Sequence, residues 1–245
     1  MKKFWQFKNE VTGEGDEQKT ERVLLLNGTI AEDSWWGDEI TPEMFKEELE
    51  SEQTDITVWI NSPGGDVFAA AQIYNMLRDY PHKVTVKIDS LAASAATVVA
   101  MAGDEVLMSP VATFMIHNPS TFAWGDKNEM ERVINVLDEI KESIINAYVT
   151  KSNLDRKKIS NLMDNETWMN ANKAMEYGFV DALLERAGIS NYGQPNIGGE
   201  YSPMTITNSI KSKLAETSRP KEPESKSERK IEDCMARLDI IKKFI

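Results

Sequence analysis

Apolar residues in the first half of the chain fall into short alternating runs, separated by segments with a three-to-four-residue period. Ile56, Val58 and Ile60 alternate with polar neighbours over 55–61, which predicts a strand with one face in a core. Ser62-Pro63-Gly64-Gly65 breaks that run. Ala70, Ile73, Tyr74 and Leu77 then recur at helical spacing over 66–80, and Pro81 ends the helix. A second alternating run covers 83–89, followed by a small-residue helix over 93–102 with Gly103 as its stop. Short strands are predicted at 105–108 and 112–117. Upstream, Arg22 to Ile30 reads as a strand interrupted at Asn27-Gly28. Thr41-Pro42-Glu43 signals a helix start, with Thr41 as its cap and Phe45 and Leu49 four apart. Strands alternating with helices from 22 to about 117 predict an α/β domain built on a parallel sheet.

The second half carries one long amphipathic helix over 128–152. Its stripe is Met130, Val133, Ile134, Leu137, Ile140, Ile144, Ile145 and Tyr148. At that length it reaches roughly 35–40 Å, more than covering a sheet requires. Two short helices follow, at about 155–163 and 171–177, with Gly178 as the second one's stop. Residues 9–20 are polar and contain Gly13 and Gly15, so 1–21 reads as a flexible N-terminal segment. Past Ser190 the composition shifts, with Gly193, Pro195, Gly198, Gly199 and Pro203 crowded together. Residues 216–230 hold no large apolar side chain and cannot offset the entropy of ordering. The predicted organisation is therefore a flexible segment 1–21, a domain 22–187, a flexible tail 188–230 and an amphipathic helix 231–245. Met235, Leu238, Ile241 and Phe244 line one side of that last helix.

Charge and composition narrow the classes of function. The 245 residues include 28 Lys and Arg against 40 Asp and Glu, a formal net charge of -12, which disfavours nucleic acid as a partner. The single cysteine, Cys234, excludes an intrachain disulfide, and with two histidines it leaves no His/Cys zinc cage. Neither a metal nor an organic cofactor is expected. No long apolar run follows the lysines of the first ten residues, and the longest apolar stretch, Leu91 to Ala102, is too short to span a bilayer. These features predict a soluble cytoplasmic protein without a membrane partner.

Three stretches could carry chemistry. Asn61-Ser62-Pro63-Gly64-Gly65 joins a strand to a helix, where glycines admit close backbone approach and the helix offers free N–H groups. It is either an anion or substrate-backbone site or an ordinary tight turn. Ala92-Ala93-Ser94-Ala95-Ala96 sets a serine among alanines at a helix start, as a nucleophile or as a helix cap. His117 ends an apolar strand ahead of Asn118-Pro119, as a base or as a structural histidine. His82 reads as incidental. A serine needs a base to act at neutral pH, so Ser94 and His117 gain weight as a pair.

In this order, those three stretches and Ala171-Asn172-Lys173-Ala174-Met175-Glu176-Tyr177-Gly178-Phe179-Val180-Asp181 resemble the ClpP family of caseinolytic serine proteases. The resemblance spans 22 to about 187. It implies a ClpP/crotonase-like fold of stacked βαβ units, with the protruding helix 128–152 docking two rings. It also implies a serine endopeptidase acting on protein or peptide substrates within a homo-oligomeric ring or a stacked pair. Ser94 takes the nucleophile position and His117 the general base. The N–H groups of Gly65 and Ala95 form the oxyanion hole, Ala95 standing where the family often has methionine. Counting back from Ala171 puts Glu166 at the family's aspartate, with Asp164 as its competitor. The alternative is that both acids only cap or solvate the loop around Trp168. The N-terminal segment does not match the family's pore loops. The tail resembles ClpP-related proteases of phages and prophages, which implies head maturation and a capsid or scaffold partner in place of, or beside, an unfoldase. Two rivals remain: a crotonase-like acyl-CoA enzyme, and a catalytically idle shell or scaffold component.

Overall fold

Eight strands pair into one sheet in the computed structural model, which describes residues 4–12, 19–30 and 42–184. All of these lie in one unit, Met1–Ser190. Strand β1 (Trp5–Thr12) runs antiparallel to β2 (Lys19–Asn27). From β2 the pairing is parallel through β3 (Ile56–Ser62) and β4 (Val84–Ala93). β4 then divides its partners. Its first half pairs with β5 (Glu105–Met108), and Leu91 to Ala93 pair with β6 (Thr113–Ile116). β7 (Thr167–Asn170) lies antiparallel to β6, and β8 (Ala182–Leu183) closes the edge beside β5. The α/β class expected from the alternation is the one observed.

The predicted alternation at 55–61 and 83–89 supplies the core, with Val58, Ile60, Val86 and Ile88 fully buried. Helix α1 (Pro42–Glu50) adds Phe45 and Leu49, and α2 (Val67–Arg78) adds Ala70, Ile73 and Leu77. Asp66 caps α2 by accepting from Phe68 and Ala69 N–H, each at 2.8 Å. Helix α3 (Ala95–Ala100) is shorter than the predicted 93–102, because β4 keeps its ladder through Ala93. Helices α4 (Lys127–Val149), α5 (Arg156–Asp164) and α6 (Ala171–Glu176) complete the described residues.

Three features differ from the sequence reading. Residues 5–12 and 19–21, read as part of a flexible segment, form most of a hairpin. Trp5 explains why: it is 4% exposed and meets Phe45 edge-on at a 5.4 Å ring separation. Residues 167–170, read as loop, form β7. The long helix buries only Ile144, Ile145, Ala147 and Tyr148, near its C-terminal end. Ile134 and Val136 are 57% and 55% exposed, while Met130, Val133, Leu137 and Ile140 are half-buried, so α4 is only partly covered in the protomer ahead of Ile144. The Thr41 cap, the tail 188–230 and the helix 231–245 lie outside the described residues. Among those residues no helix is long and apolar enough to cross a membrane.

Arg22 fastens the start of the fold. It is 4% exposed, and its guanidinium carbon sits 5.2 Å from the centre of the Phe7 ring. Nη1 donates to Leu49 O at 2.7 Å and to the Tyr80 hydroxyl at 3.0 Å, while Nη2 donates to Glu48 O. The cation thus satisfies carbonyls at the C-terminal end of α1, where the helix dipole favours positive charge. Arg22→Met leaves those buried acceptors unpaired and should cost about 3 kcal/mol. The check is the urea midpoint of the purified variant; an unchanged midpoint would show that Arg22 does not fasten α1.

Candidate active site

Ser94 sits at the turn from β4 into α3 with φ 57° and ψ -128°, a conformation that L-residues adopt at a cost of about 1–3 kcal/mol. Its N–H donates to Met115 O at 2.9 Å, extending the β4–β6 pairing by one step. The side chain makes no capping bond to the helix. It reaches instead to His117, whose Nε2 lies 2.7 Å from Ser94 Oγ. His117 follows directly on β6, so the β4–β6 pairing brings serine and imidazole together from residues 23 apart.

The glycine loop packs against this turn. Gly64 has φ 92°, and a Cβ there would lie 2.7 Å from Ser94 Cβ and 2.9 Å from Ala95 N. Gly65 pairs with Ile30, and a Cβ on it would fall 2.0 Å from Ile30 O. Both positions therefore require glycine for lack of space. Ile30 N–H donates to Gly64 O and Asp66 N–H to Ile30 O, which leaves the Gly65 N–H outside that pairing. Among the described residues no hydrogen bond engages the N–H of Gly65 or of Ala95. Two backbone donors beside a serine–histidine contact can stabilise an oxyanion.

The two candidate acids are engaged differently. Asp164 Oδ1 accepts from Asn118 Nδ2 at 2.9 Å and from Lys141 Nζ at 2.6 Å. The Asn118 bond, then Lys141, hold its carboxyl below the usual range. Glu166 has φ 43° and accepts from Trp168 Nε1 at 3.2 Å. Among the described residues neither acid hydrogen-bonds to His117. β6 and β7 pair Met115 with Trp168 and, as the last step of the ladder, Ile116 with Thr167, so His117 and Glu166 each stand one residue beyond it.

Two buried neighbours of Ser94 escape sequence reasoning. Thr97 Oγ1 donates to Ser94 O at 2.5 Å and lies 2.7 Å from the Tyr148 hydroxyl. Thr97 is 0% and Tyr148 1% exposed, and burial pushes the Tyr148 phenol up. A threonine inside Ala95-Ala96-Thr97-Val98-Val99 is a polar residue in an apolar run; that is the one signal the sequence offered. His82 is half-buried against Tyr80, away from this network. No group of three or more His, Cys, Asp or Glu able to hold a metal occurs among the described residues.

Comparison with known proteins shows the family of the chain. A family model described as Clp protease matches residues 16–187. The chain is 28% identical over 172 residues to an ATP-dependent Clp protease proteolytic subunit of Leuconostoc citreum, covering 69% of this chain and 85% of that protein. A protein of the same name from Bacteroides thetaiotaomicron is 28% identical over 166 residues, covering 67% and 74%. The ATP-dependent Clp protease proteolytic subunit 1 of Chlamydia muridarum is 33% identical over 141 residues, covering 56% and 73%.

The depressed Asp164 carboxyl sets a pH dependence. Its stabilisation is present above the ordinary carboxylate value near 4 and is lost as pH falls through the lowered one. Asn at 164 can still accept from Asn118 but gives up the ion pair with Lys141. Asp164→Asn should therefore melt below the parent protein at pH 7, and the gap should narrow as pH falls below the ordinary carboxylate value. A gap that stays constant over that range in thermal melts would remove the ionised carboxylate from the account.

Proposed function

The chain belongs to the Clp protease family and is a serine-type peptidase, and on that footing we propose that Ser94, His117 and Glu166 form its catalytic triad. The observation that carries the proposal is the 2.7 Å contact between Ser94 Oγ and His117 Nε2. Ser94 Oγ attacks the carbonyl carbon of a peptide bond, and its proton passes to His117 Nε2. The N–H groups of Gly65 and Ala95 hold the oxyanion, a contribution of about 3–4 kcal/mol per donor in comparable sites. His117 then gives the proton to the leaving amine, and water enters by the same steps in reverse to release the acyl group. Glu166 turns its carboxylate from Trp168 to the imidazole Nδ1–H, fixing the tautomer. The β6–β7 register supports Glu166 in that role, and the occupation of Asp164 by Asn118 and Lys141 argues against the competitor.

The substrate is an extended protein or peptide chain lying beside Gly64-Gly65. An apolar groove of about 530 Å³ lined by Val67, Phe68, Ala71, Val98, Ile140 and Ile144 adjoins that segment and suits an apolar substrate side chain. The chemistry calls for no cofactor. A crotonase-like acyl-CoA reaction is disfavoured, because two backbone donors suffice for it and the serine–histidine contact would have no task. The working form is a cytoplasmic homo-oligomeric ring, supported by the uncovered apolar residues of α4. The relatives are named as ATP-dependent proteases, and by that likeness an unfoldase would feed chains to the ring. The narrower reading, processing of a phage capsid or scaffold protein, draws on the tail sequence beyond residue 190.

Fluorophosphonate labelling and hydrolysis of a small peptide test the triad. Ser94→Ala should abolish both, and His117→Ala should lower both by several orders of magnitude. Retained labelling of Ser94→Ala would dismiss Ser94 as the nucleophile, and an unlabelled parent protein would leave an idle shell as the better account. Glu166→Gln should reduce kcat far more than Asp164→Asn, since an amide can favour the wrong tautomer. The reverse ranking would transfer the orienting role to Asp164.

Assembly is tested on the uncovered part of α4. Asp substitutions at Ile134 and Val136, both exposed in the protomer, should reduce the particle mass seen by light scattering while the protomer stays folded. Ile144 and Ile145 are unsuitable for this purpose, being part of the protomer's own core. An unchanged mass would rule out α4 as the assembly element.

A further inference from the structure

The oxyanion donor at Ala95 is half of a peptide unit whose other half is the Ser94 carbonyl. That unit is planar and trans, so its C=O and N–H point in opposite directions. Whatever fixes the carbonyl therefore aims the N–H. Two bonds from one residue fix it: Thr97 N–H donates to Ser94 O at 2.9 Å and Thr97 Oγ1 donates to it at 2.5 Å. The backbone bond belongs to the turn and would survive any side chain at 97. The hydroxyl bond depends on the threonine rotamer, and that rotamer is held from outside the helix. Thr97 Oγ1 has one proton, which Ser94 O takes, so the Tyr148 hydroxyl donates to Thr97 Oγ1 across 2.7 Å. Both side chains are buried, which leaves water no part in the arrangement.

We infer that Thr97, held by Tyr148, is a positioning residue that aims the Ala95 N–H at the developing oxyanion. The inference rests on the reading of Ser94 as nucleophile. A threonine bonding the carbonyl three residues back is common in helices and often only ends or bends them. Here the carbonyl belongs to the strained residue at φ 57°, and the donor is locked by a tyrosine from a different helix. The strut runs from α4 through Thr97 to the peptide that carries the donor. Loss of the hydroxyl lets the Ser94–Ala95 peptide rock, which weakens an interaction made in the transition state and leaves substrate binding alone.

Four variants of the full chain test this: Thr97→Val, which keeps shape and removes the hydroxyl; Thr97→Ser, which keeps the hydroxyl; Tyr148→Phe; and Ser94→Ala as the labelling control. Thr97→Val should lower kcat about tenfold at nearly constant KM, less than outright removal of an oxyanion donor. The Ki of a peptide aldehyde, whose adduct carries the oxyanion, should rise by a matching factor. Thr97→Ser should recover most of the loss, and Tyr148→Phe should fall between the two. Thermal melting identifies any variant that loses activity by unfolding; if Thr97→Val unfolds, Tyr148→Phe and Thr97→Ser decide by the same kinetic measures. Equal kcat in Thr97→Val and the parent, or equal losses in Thr97→Val and Thr97→Ser, would overturn the inference. So would a loss confined to KM. Absence of Ser94 labelling in the parent protein would overturn the nucleophile reading itself, and the positioning role with it.

Discussion

The turn at Ser94 is the constraint around which the rest of this structure is arranged. A non-glycine residue at φ 57° and ψ -128° between strand and helix is costly, and it persists only where its surroundings over-determine it. The neighbouring sequence is correspondingly small: Ala93, Ala95 and Ala96 flank the serine, and Gly64 lies so close that a Cβ there would collide with it. The sheet contributes as well. β4 pairs with β5 up to Met108 and then exchanges that partner for β6 from Leu91 onward. That exchange lets Ser94 N–H reach Met115 O and delivers His117 at the end of the same ladder. The partner change in the sheet, the strained turn and the serine–histidine contact are one geometric solution.

Periodicity made the centre of the sheet legible and the periphery less so. The runs 55–61 and 83–89 and the helix 66–80 are long enough for a period to repeat, and their buried faces match the alternation. β7 has four residues, Thr167-Trp168-Met169-Asn170, too few to establish a period; it exists because β6 offers it an edge. The N-terminal hairpin was hidden by polar residues 8–10. Its pairing is carried by backbone hydrogen bonds and its anchorage by Trp5 against Phe45, a contact between residues 40 apart. The stripe on α4 was visible, but a stripe does not say which part of it its own domain will cover. The motif residues around the site stood out by type and order. Their supports did not: Thr97 with Tyr148, and Asp164 with Asn118 and Lys141, are partnerships that only the fold creates.

Two acids near one histidine raise the question of why the chain keeps both. Asp164 ends α5 and holds Asn118, the residue after His117, to Lys141 on α4. Its carboxylate oxygen is shared between an amide and an ammonium and has little freedom to turn to the imidazole. Glu166 lies two residues later, in the turn before β7, one residue beyond the last pair of the β6–β7 ladder. One carboxylate thus restrains the loop that carries His117, while the other, held by Trp168 Nε1, stands just ahead of β7. The same helix stands behind both sides of the serine–histidine contact. Lys141 of α4 holds the loop of His117 through Asp164, and Tyr148 of α4 holds the turn of Ser94 through Thr97. A helix that fully buries only its C-terminal end in the protomer is therefore also the shared support of the Ser94 turn and the His117 loop.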